Sequence, residues 1–270
     1  MSILDPHRPH MMPAHFGPQP GSPKSTLWYH DVTSMTVAYR TDRDKLAAYL
    51  PAPFELAEEA IVFVTYACNR EVDWLAGHGY NMIAVNAPAV FNGEQDQRSG
   101  NYTLVIWENL TDPILTGREY QGIPKVYADI PDHSVISGHW HASAGHFGHK
   151  FLDIDVDELR EPTAQELQED EAAAVEGREN PMTWRFMPGL GGYGQSVSQT
   201  TLYPSENVIR ESWVGQGRLQ WQHLTWEQNP TQFHIVNALA DLPVLEWLPA
   251  TVARGSTNLM VPERLTREIR

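Results

Sequence analysis

The chain has 270 residues, of which 41% are apolar, 10% aromatic and 20% charged, a composition that can bury a core and excludes an intrinsically disordered protein. Nineteen basic against 34 acidic side chains leave a net charge of −15, which disfavours nucleic acid and anionic membrane surfaces as partners. The single cysteine, Cys68, excludes an intrachain disulfide framework and any cysteine-built metal or iron–sulfur centre.

No apolar run approaches the roughly 20 residues of a membrane span, and the N-terminus lacks a signal-peptide layout, so a soluble cytoplasmic protein is expected. Residues 1–25 carry Pro6, Pro9, Pro13, Pro18, Pro20 and Pro23. Proline has no backbone donor, so this stretch reads as an extended arm, disordered or laid across a neighbouring subunit. Residues 26–270 read as one domain. Alternation from Val32 to Tyr39 predicts a strand, and Thr41 or Asp42 can cap a short helix through Leu46 and Leu50 that Pro51 closes. Further strands are predicted at 61–66, 81–91, 102–107, 126–130, 197–203 and 218–222. Helices are few: an acidic, alanine-rich one over 163–176, and a second over 231–239 or slightly later. Many short strands with few helices predict a mainly β (α+β) domain, barrel-like or built of packed sheets.

The candidate chemistry begins with four lysines. Lys24 lies in the arm, Lys45 on the short helix and Lys150 among histidines, whereas Lys125 sits in the apolar frame Gly-Ile-Pro-Lys-Val-Tyr. An ammonium buried without a partner gives up its proton more readily, and a neutral lysine amine can form a Schiff base with a carbonyl. The bland alternative is a strand-edge lysine that reaches water. His139-x-His141 shares one strand face, a geometry open to zinc or iron, and His146-x-x-His149 follows. No Asp or Glu lies inside that run and glycines interrupt it, so a solvated edge without metal is expected. The glycine-rich stretch 189–194 lacks a P-loop lysine and a following helix, so it reads as a turn between strands. Cys68 is expected to be a small buried residue.

The segment Gly117-Arg118-Glu119-Tyr120-Gln121-Gly122-Ile123-Pro124-Lys125 resembles the active-site segment of the acetoacetate decarboxylase superfamily: Gly-Arg-Glu, four variable residues, then Pro-Lys. Tyr39-Arg40-Thr41-Asp42 with Pro51-Ala52-Pro53, Phe91-Asn92-Gly93, Trp213-Val214-Gly215 with Arg218-Leu219-Gln220, and Leu242-Pro243-Val244 recur in the same order, from about residue 28 to 265. The resemblance implies a β-barrel or cone with flanking antiparallel strands, few helices and a homo-oligomeric assembly (dimer-based, tetramer or larger). It also implies a small oxo-acid substrate, an enamine formed on Lys125, and no cofactor.

Several positions depart from the family pattern. The second lysine that follows the reactive one in true decarboxylases is Val126 here, and an arginine falls at Val32. Two pocket glutamates fall at about Val64 and Met82. Gln121 and Tyr80 resemble the Gln and Tyr of branches that perform pyruvate aldol condensation with dehydration, or hydration of related oxo acids. Under that resemblance Lys125 holds the pyruvate enamine, Tyr80 acts as general acid/base, Gln121 orients the substrate, and Met82 and Val64 line the pocket. Arg118 and Glu119 are expected to form a paired structural element of the turn. The first expectation is therefore a lyase of aldolase-dehydratase or hydratase type. The alternatives are decarboxylation of a more apolar β-keto acid and a non-catalytic ligand-binding barrel.

Overall fold

The computed structural model describes residues 10–19, 26–175, 180–259 and 266–270. Fifteen strands dominate it: β1 (Trp28–Arg40), β2 (Phe54–Leu56), β3 (Ile61–Val72), β4 (Tyr80–Asn92), β5 (Gln97–Glu108), β6 (Lys125–Tyr127), β7 (Ser134–Ile136), β8 (His139–His146), β9 (His149–Arg160), β10 (Pro181–Pro188), β11 (Gln195–Leu202), β12 (Glu206–Trp221), β13 (Glu246–Trp247), β14 (Ala250–Asn258) and β15 (Arg267–Glu268). They form one sheet in the order β15-β11-β10-β5-β4-β3-β1-β14-β12-β9-β8-β7, with β2, β6 and β13 attached to β4, β5 and β1. The mainly β expectation holds, but closure into a barrel does not: the sheet ends at β15 and β7 rather than pairing its ends.

The sheet nevertheless curls, because strands far apart in that order share a core. Trp107 on β5 lies with its ring 5.2 Å from Phe151 on β9 and 6.0 Å from Trp221 on β12. The alternation that predicts the strands decides which side faces this core. Met35, Val37 and Tyr39 of β1, Val62, Val64 and Tyr66 of β3, Ile83 and Val85 of β4, and Val105 and Trp107 of β5 point inward, where they meet Ile154 and Val156 of β9. Cys68 is a buried, free member of the same core, as expected.

Four α-helices accompany the sheet: α1 (Arg43–Ala47), α2 (Thr111–Thr116), α3 (Ala164–Val175) and α4 (Phe233–Ala240). Asp42 caps α1 by accepting from Lys45 N at 2.9 Å. At α3, Thr163 and Glu166 form a reciprocal cap, with Thr163 N donating to Glu166 Oε2 at 2.7 Å and Glu166 N to Thr163 Oγ1 at 3.3 Å. Glu176, where this helix was expected to end, lies outside the described residues. The acidic helix thus owes its start to a local cap rather than to an apolar face. α4 buries Val236 and Leu239 in the core. The run 189–194 is the turn between β10 and β11 that its composition predicts, with Gly191, Gly192 and Gly194 at positive φ.

One further expectation needs correcting. The strand expected over 126–130 is short, β6 plus one bridge between Asp129 and Gly145. The described part of the arm, 10–19, lies against its own chain: Met12 N donates to Glu119 Oε2 at 3.3 Å, and Tyr120 OH to Gln19 Oε1 at 2.8 Å. The remainder of the expected arm, 1–9 and 20–25, is outside the described residues. No helix among the described residues is long and apolar enough to cross a membrane.

Candidate active site

Lys125 stands where the sheet forks. The first half of β5 pairs in parallel with β10 at Asn101 and Tyr102, and its last residues pair in parallel with β6 instead. The β6 register places Lys125 beside Ile106, Val126 beside Trp107 and Tyr127 beside Glu108. Trp107 and Val126 pack on the main core, so Ile106, Glu108 and Lys125 share the opposite face.

On that face Lys125 Nζ lies 2.7 Å from Glu108 Oε1, and both side chains are almost inaccessible, at 8% and 0% exposure. Nζ also donates to the Pro113 carbonyl at 3.2 Å. Glu108 Oε2 is buried without a hydrogen-bond partner among the described residues. Burial pushes the Glu108 carboxyl above the ordinary carboxylate range, against the pull of the Lys125 ammonium. Among the described residues Lys125 is the one cation that acts on it, so a buried lysine with no counter-charge is not what the fold builds.

The chain between the partners supplies the rest of the cradle. Pro113 sits in the first turn of α2, where a missing backbone donor costs nothing. A π-helical turn, Gly117–Gln121, follows and ends at Gly122, whose φ of +76° suits glycine. A Cβ at Gly122 would come within 2.3 Å of Arg185 Cβ, and one at Gly117 within 2.6 Å of Lys125 Cε and 2.9 Å of its Nζ. The lysine stem therefore lies directly on Gly117.

Beside the pair, Met82 is the cross-strand partner of Glu108. Met82 packs against two small apolar clusters, one of Ala84, Ile106, Ile123 and Tyr203, the other of Tyr29, Val72 and Tyr80 with Val32, Trp74 and Leu110 at its margin. Tyr80 OH donates to Tyr29 OH at 3.2 Å, which also accepts from Trp74 Nε1 at 3.1 Å. Burial holds Tyr80 well above its ordinary range and pushes Tyr29 up to about 12, and the Glu108 charge adds to both shifts. Both phenols are therefore proton donors at neutral pH.

The sequence-based candidates separate on this geometry. Met82 and Tyr80 lie on the same sheet face as the Lys125–Glu108 pair, Met82 as the cross-strand neighbour of Glu108 and Tyr80 packed against Met82. Val64 does not: it pairs with Val85 and Val37 on the core-facing side and is fully buried there, so strand parity removes it from the lysine's surroundings. Gln121 turns elsewhere, its Nε2 donating to Thr266 Oγ1 at 3.2 Å while its carbonyl accepts from Thr201 Oγ1 at 2.9 Å. Arg118 and Glu119 find separate partners rather than each other. Arg118 Nη1 donates to the Lys125 carbonyl at 2.9 Å, and the Glu119 carbonyl accepts from Arg185 Nη2 at 2.7 Å. Sequence reasoning missed Glu108, Tyr29 and the Pro113 carbonyl, and gave Gly117 no role beyond its place in the motif. The one available signal was the acid closing the apolar run Leu-Val-Ile-Trp-Glu, two residues beyond Ile106 and hence on its face.

The family model for acetoacetate decarboxylase matches residues 11–268 of this sequence. The chain belongs to the acetoacetate decarboxylase family. Its curated relatives include the acetoacetate decarboxylase of Burkholderia ambifaria strain MC40-6, 25% identical over 239 residues that cover 86% of this chain and 85% of the relative. Among solved structures, acetoacetate decarboxylase from Legionella pneumophila superposes with a TM-score of 0.70 at 16% identity, covering 94% of this chain and 92% of that one. The enduracididine biosynthesis enzyme MppR superposes with a TM-score of 0.68 at 15% identity, covering 100% and 98%. These two likenesses establish the shared fold.

Proposed function

We propose that the chain is a lyase that forms a Schiff base through Lys125, with Glu108 as the group that takes the ammonium proton. The buried pair at 2.7 Å carries this reading. Proton transfer from Nζ to the Glu108 carboxylate frees the amine for attack, and burial of the carboxyl raises its hold on that proton. The freed amine adds to a ketone carbon, and the carbinolamine loses water as Glu108 returns the proton to the departing hydroxyl. The resulting iminium accepts the electron pair of a broken bond next to the carbonyl, giving an enamine. Protonation of the enamine carbon and hydrolysis of the imine release the ketone and regenerate Lys125.

The bond we propose to break joins the α-carbon to a carboxylate, in a β-keto acid with an apolar tail. Met82, Ala84, Ile106, Ile123 and Tyr203 offer apolar contacts. A substrate carboxylate placed beside Glu108, with Lys125 as the local cation, is relieved of its burial by leaving as neutral CO2. The naming of the curated relatives as acetoacetate decarboxylases supports the same choice. A second reading rests on Tyr80 and Tyr29: two protonated phenols near Glu108 suit the dehydration that follows an aldol addition of pyruvate, or a hydration. MppR has been crystallised with pyruvate and with the condensation product of pyruvate and imidazole 4-carboxaldehyde.

Incubation with acetoacetate, 3-oxohexanoate or pyruvate, followed by borohydride and intact-mass measurement, tests this directly. The expected result is an adduct on the Lys125 peptide with both β-keto acids, accompanied by CO2 release and greater with the longer one. An adduct with pyruvate alone, without CO2, replaces decarboxylation by the aldol reading. No adduct with any of the three overturns the Schiff-base assignment in favour of a non-catalytic binding protein.

A further inference from the structure

A second cluster of chemically capable side chains lies on the β8–β9 hairpin and shares no residue with the Lys125 site. β9 runs Asp153-Ile154-Asp155-Val156-Asp157, which sends Ile154 and Val156 into the core and three aspartates to the opposite face. β8 likewise buries Trp140 and Ala142 and turns His139 and His141 outward. The antiparallel register sets His141 directly opposite Asp155. The carboxylate absent from the histidine run itself is thus supplied by the neighbouring strand.

The two imidazoles converge on one oxygen. Asp155 Oδ1 lies 3.0 Å from His139 Nε2 and 2.8 Å from His141 Nδ1. Each ring then directs its other nitrogen at a further carboxylate: His141 Nε2 is 3.5 Å from Asp153 Oδ1, and His139 Nδ1 is 3.9 Å from Asp157 Oδ2. Lys150 Nζ holds Asp153 in place at 2.7 Å. Neither outer histidine contact is a hydrogen bond, but each places a carboxylate where it can take up the far ring N–H when the near nitrogens bind a metal, an arrangement that orients histidine ligands and raises their basicity. Arg218, the β12 register partner of Asp155, directs its charge elsewhere: it donates to the Gly217 carbonyl and lies over the Trp247 ring.

We propose that His139, His141 and Asp155 bind a divalent transition cation of the zinc class, with Asp153 and Asp157 as the carboxylates behind the histidines. A zinc ion about 2.0–2.2 Å from each ligand places tetrahedral donors roughly 3.3 Å apart, a few tenths of an ångström wider than the two histidine–Asp155 separations here, and all three donor atoms lie within 4.8 Å of one another. Half-exposed side chains accommodate that, and the remaining coordination position opens to water. Two imidazoles with a carboxylate favour zinc, cobalt or nickel over magnesium or calcium, which prefer all-oxygen sets. The cation would clip β8 to β9 beside the terminal strand β7.

Full-length protein stripped with a chelator and then titrated with zinc chloride by calorimetry should take up one equivalent with micromolar or tighter affinity. Cobalt at the same site should give the visible absorption of a tetrahedral complex. Asp155→Asn and His141→Ala should each weaken binding at least tenfold, Asp153→Asn by less, and His146→Ala with His149→Ala by nothing measurable. Zinc should raise the melting temperature of the parent but not of Asp155→Asn, whose isosteric side chain preserves the hairpin without metal. Absence of stoichiometric uptake by the parent protein, or full uptake by the His139→Ala/His141→Ala double variant, would overturn the proposal.

Discussion

Glu108 and Lys125 come from adjacent parallel strands and meet at 2.7 Å on the face of the sheet that turns away from the main core. Strand parity makes the encounter unavoidable: Ile106 is the register partner of Lys125, and Glu108 is the next residue of β5 on the same side. Under the proposed function the amine is activated by exchange with a buried base, not by isolation in an apolar frame. The carboxylate that the family pattern suggests at Met82 is present one strand over, on its register partner.

Glu108→Gln should lower the rate of imine formation by about 10²–10⁴-fold, the usual range for loss of a positioned proton acceptor. The sign of the pH effect follows from the raised carboxyl. Below its folded-state value Glu108 holds a proton and cannot accept another, so the acid limb of the rate profile should lie above the ordinary carboxylate range of about 4.5. That limb should vanish in Glu108→Gln, and a stopped-flow profile of both proteins between pH 4 and 9 measures it. An unshifted limb in the variant would assign the titration to another group.

Gly117→Ala isolates the placement of the amine from the stability of the fold. Gly117 has φ −65° and ψ −40°, so alanine suits its backbone. The new methyl would lie 2.6 Å from Lys125 Cε and 2.9 Å from Nζ, and the flexible end of the lysine is what must yield. Borohydride trapping should slow at least tenfold, while the melting temperature stays within a few degrees of the parent. A large loss of stability with normal trapping would contradict this view of the cradle.

Tyr80→Phe removes the donor of the Tyr80–Tyr29 hydrogen bond without changing the ring. If the phenol delivers a proton after the imine has formed, kcat should fall by about 10²-fold or more while KM and trapping change little. Tyr29→Phe, which leaves both Tyr80 OH and Trp74 Nε1 without their acceptor, should cost stability as well, by roughly 1–3 kcal/mol in chemical denaturation.

The legible parts of this molecule were those set by period and local chemistry. β-branched alternation marked β1, β3 and β4, an acidic, alanine-rich composition marked α3, and the Gly-Arg-Glu to Pro-Lys spacing marked Lys125. What stayed hidden depended on which strand lies next to which. Glu108 reads as the tail of an apolar run until β6 is known to pair with β5 in parallel. Val64 reads as a pocket residue until its parity with Val85 places it in the core. The His139–His141 pair reads as bare until β9 brings Asp155 opposite. α2 was missed because it is six residues long, has no side-chain cap and contains Pro113. Its position comes from packing, not from propensity.

The strand that carries Lys125 is also braced from the core side. Trp107 Nε1 donates to Gln232 Oε1 at 2.7 Å, and Gln232 Nε2 donates to the Tyr127 carbonyl at 2.8 Å. Gln232 is the residue before α4 and is 5% exposed, so it ties the helix to β5 through a buried bond and to β6 through a partly buried one. Gln232→Leu keeps the volume but leaves an indole N–H and a carbonyl without partners in a dry site. Each buried orphan costs about 1–3 kcal/mol, so denaturant unfolding should register a loss of roughly 2–6 kcal/mol. Gln232→Glu should stay close to the parent at a pH low enough to keep the new carboxyl neutral, because the protonated carboxyl accepts from Trp107 and donates through its O–H to Tyr127. Equal stability of Gln232→Leu and the parent protein would mean that water satisfies both groups and that α4 contributes nothing to holding β6.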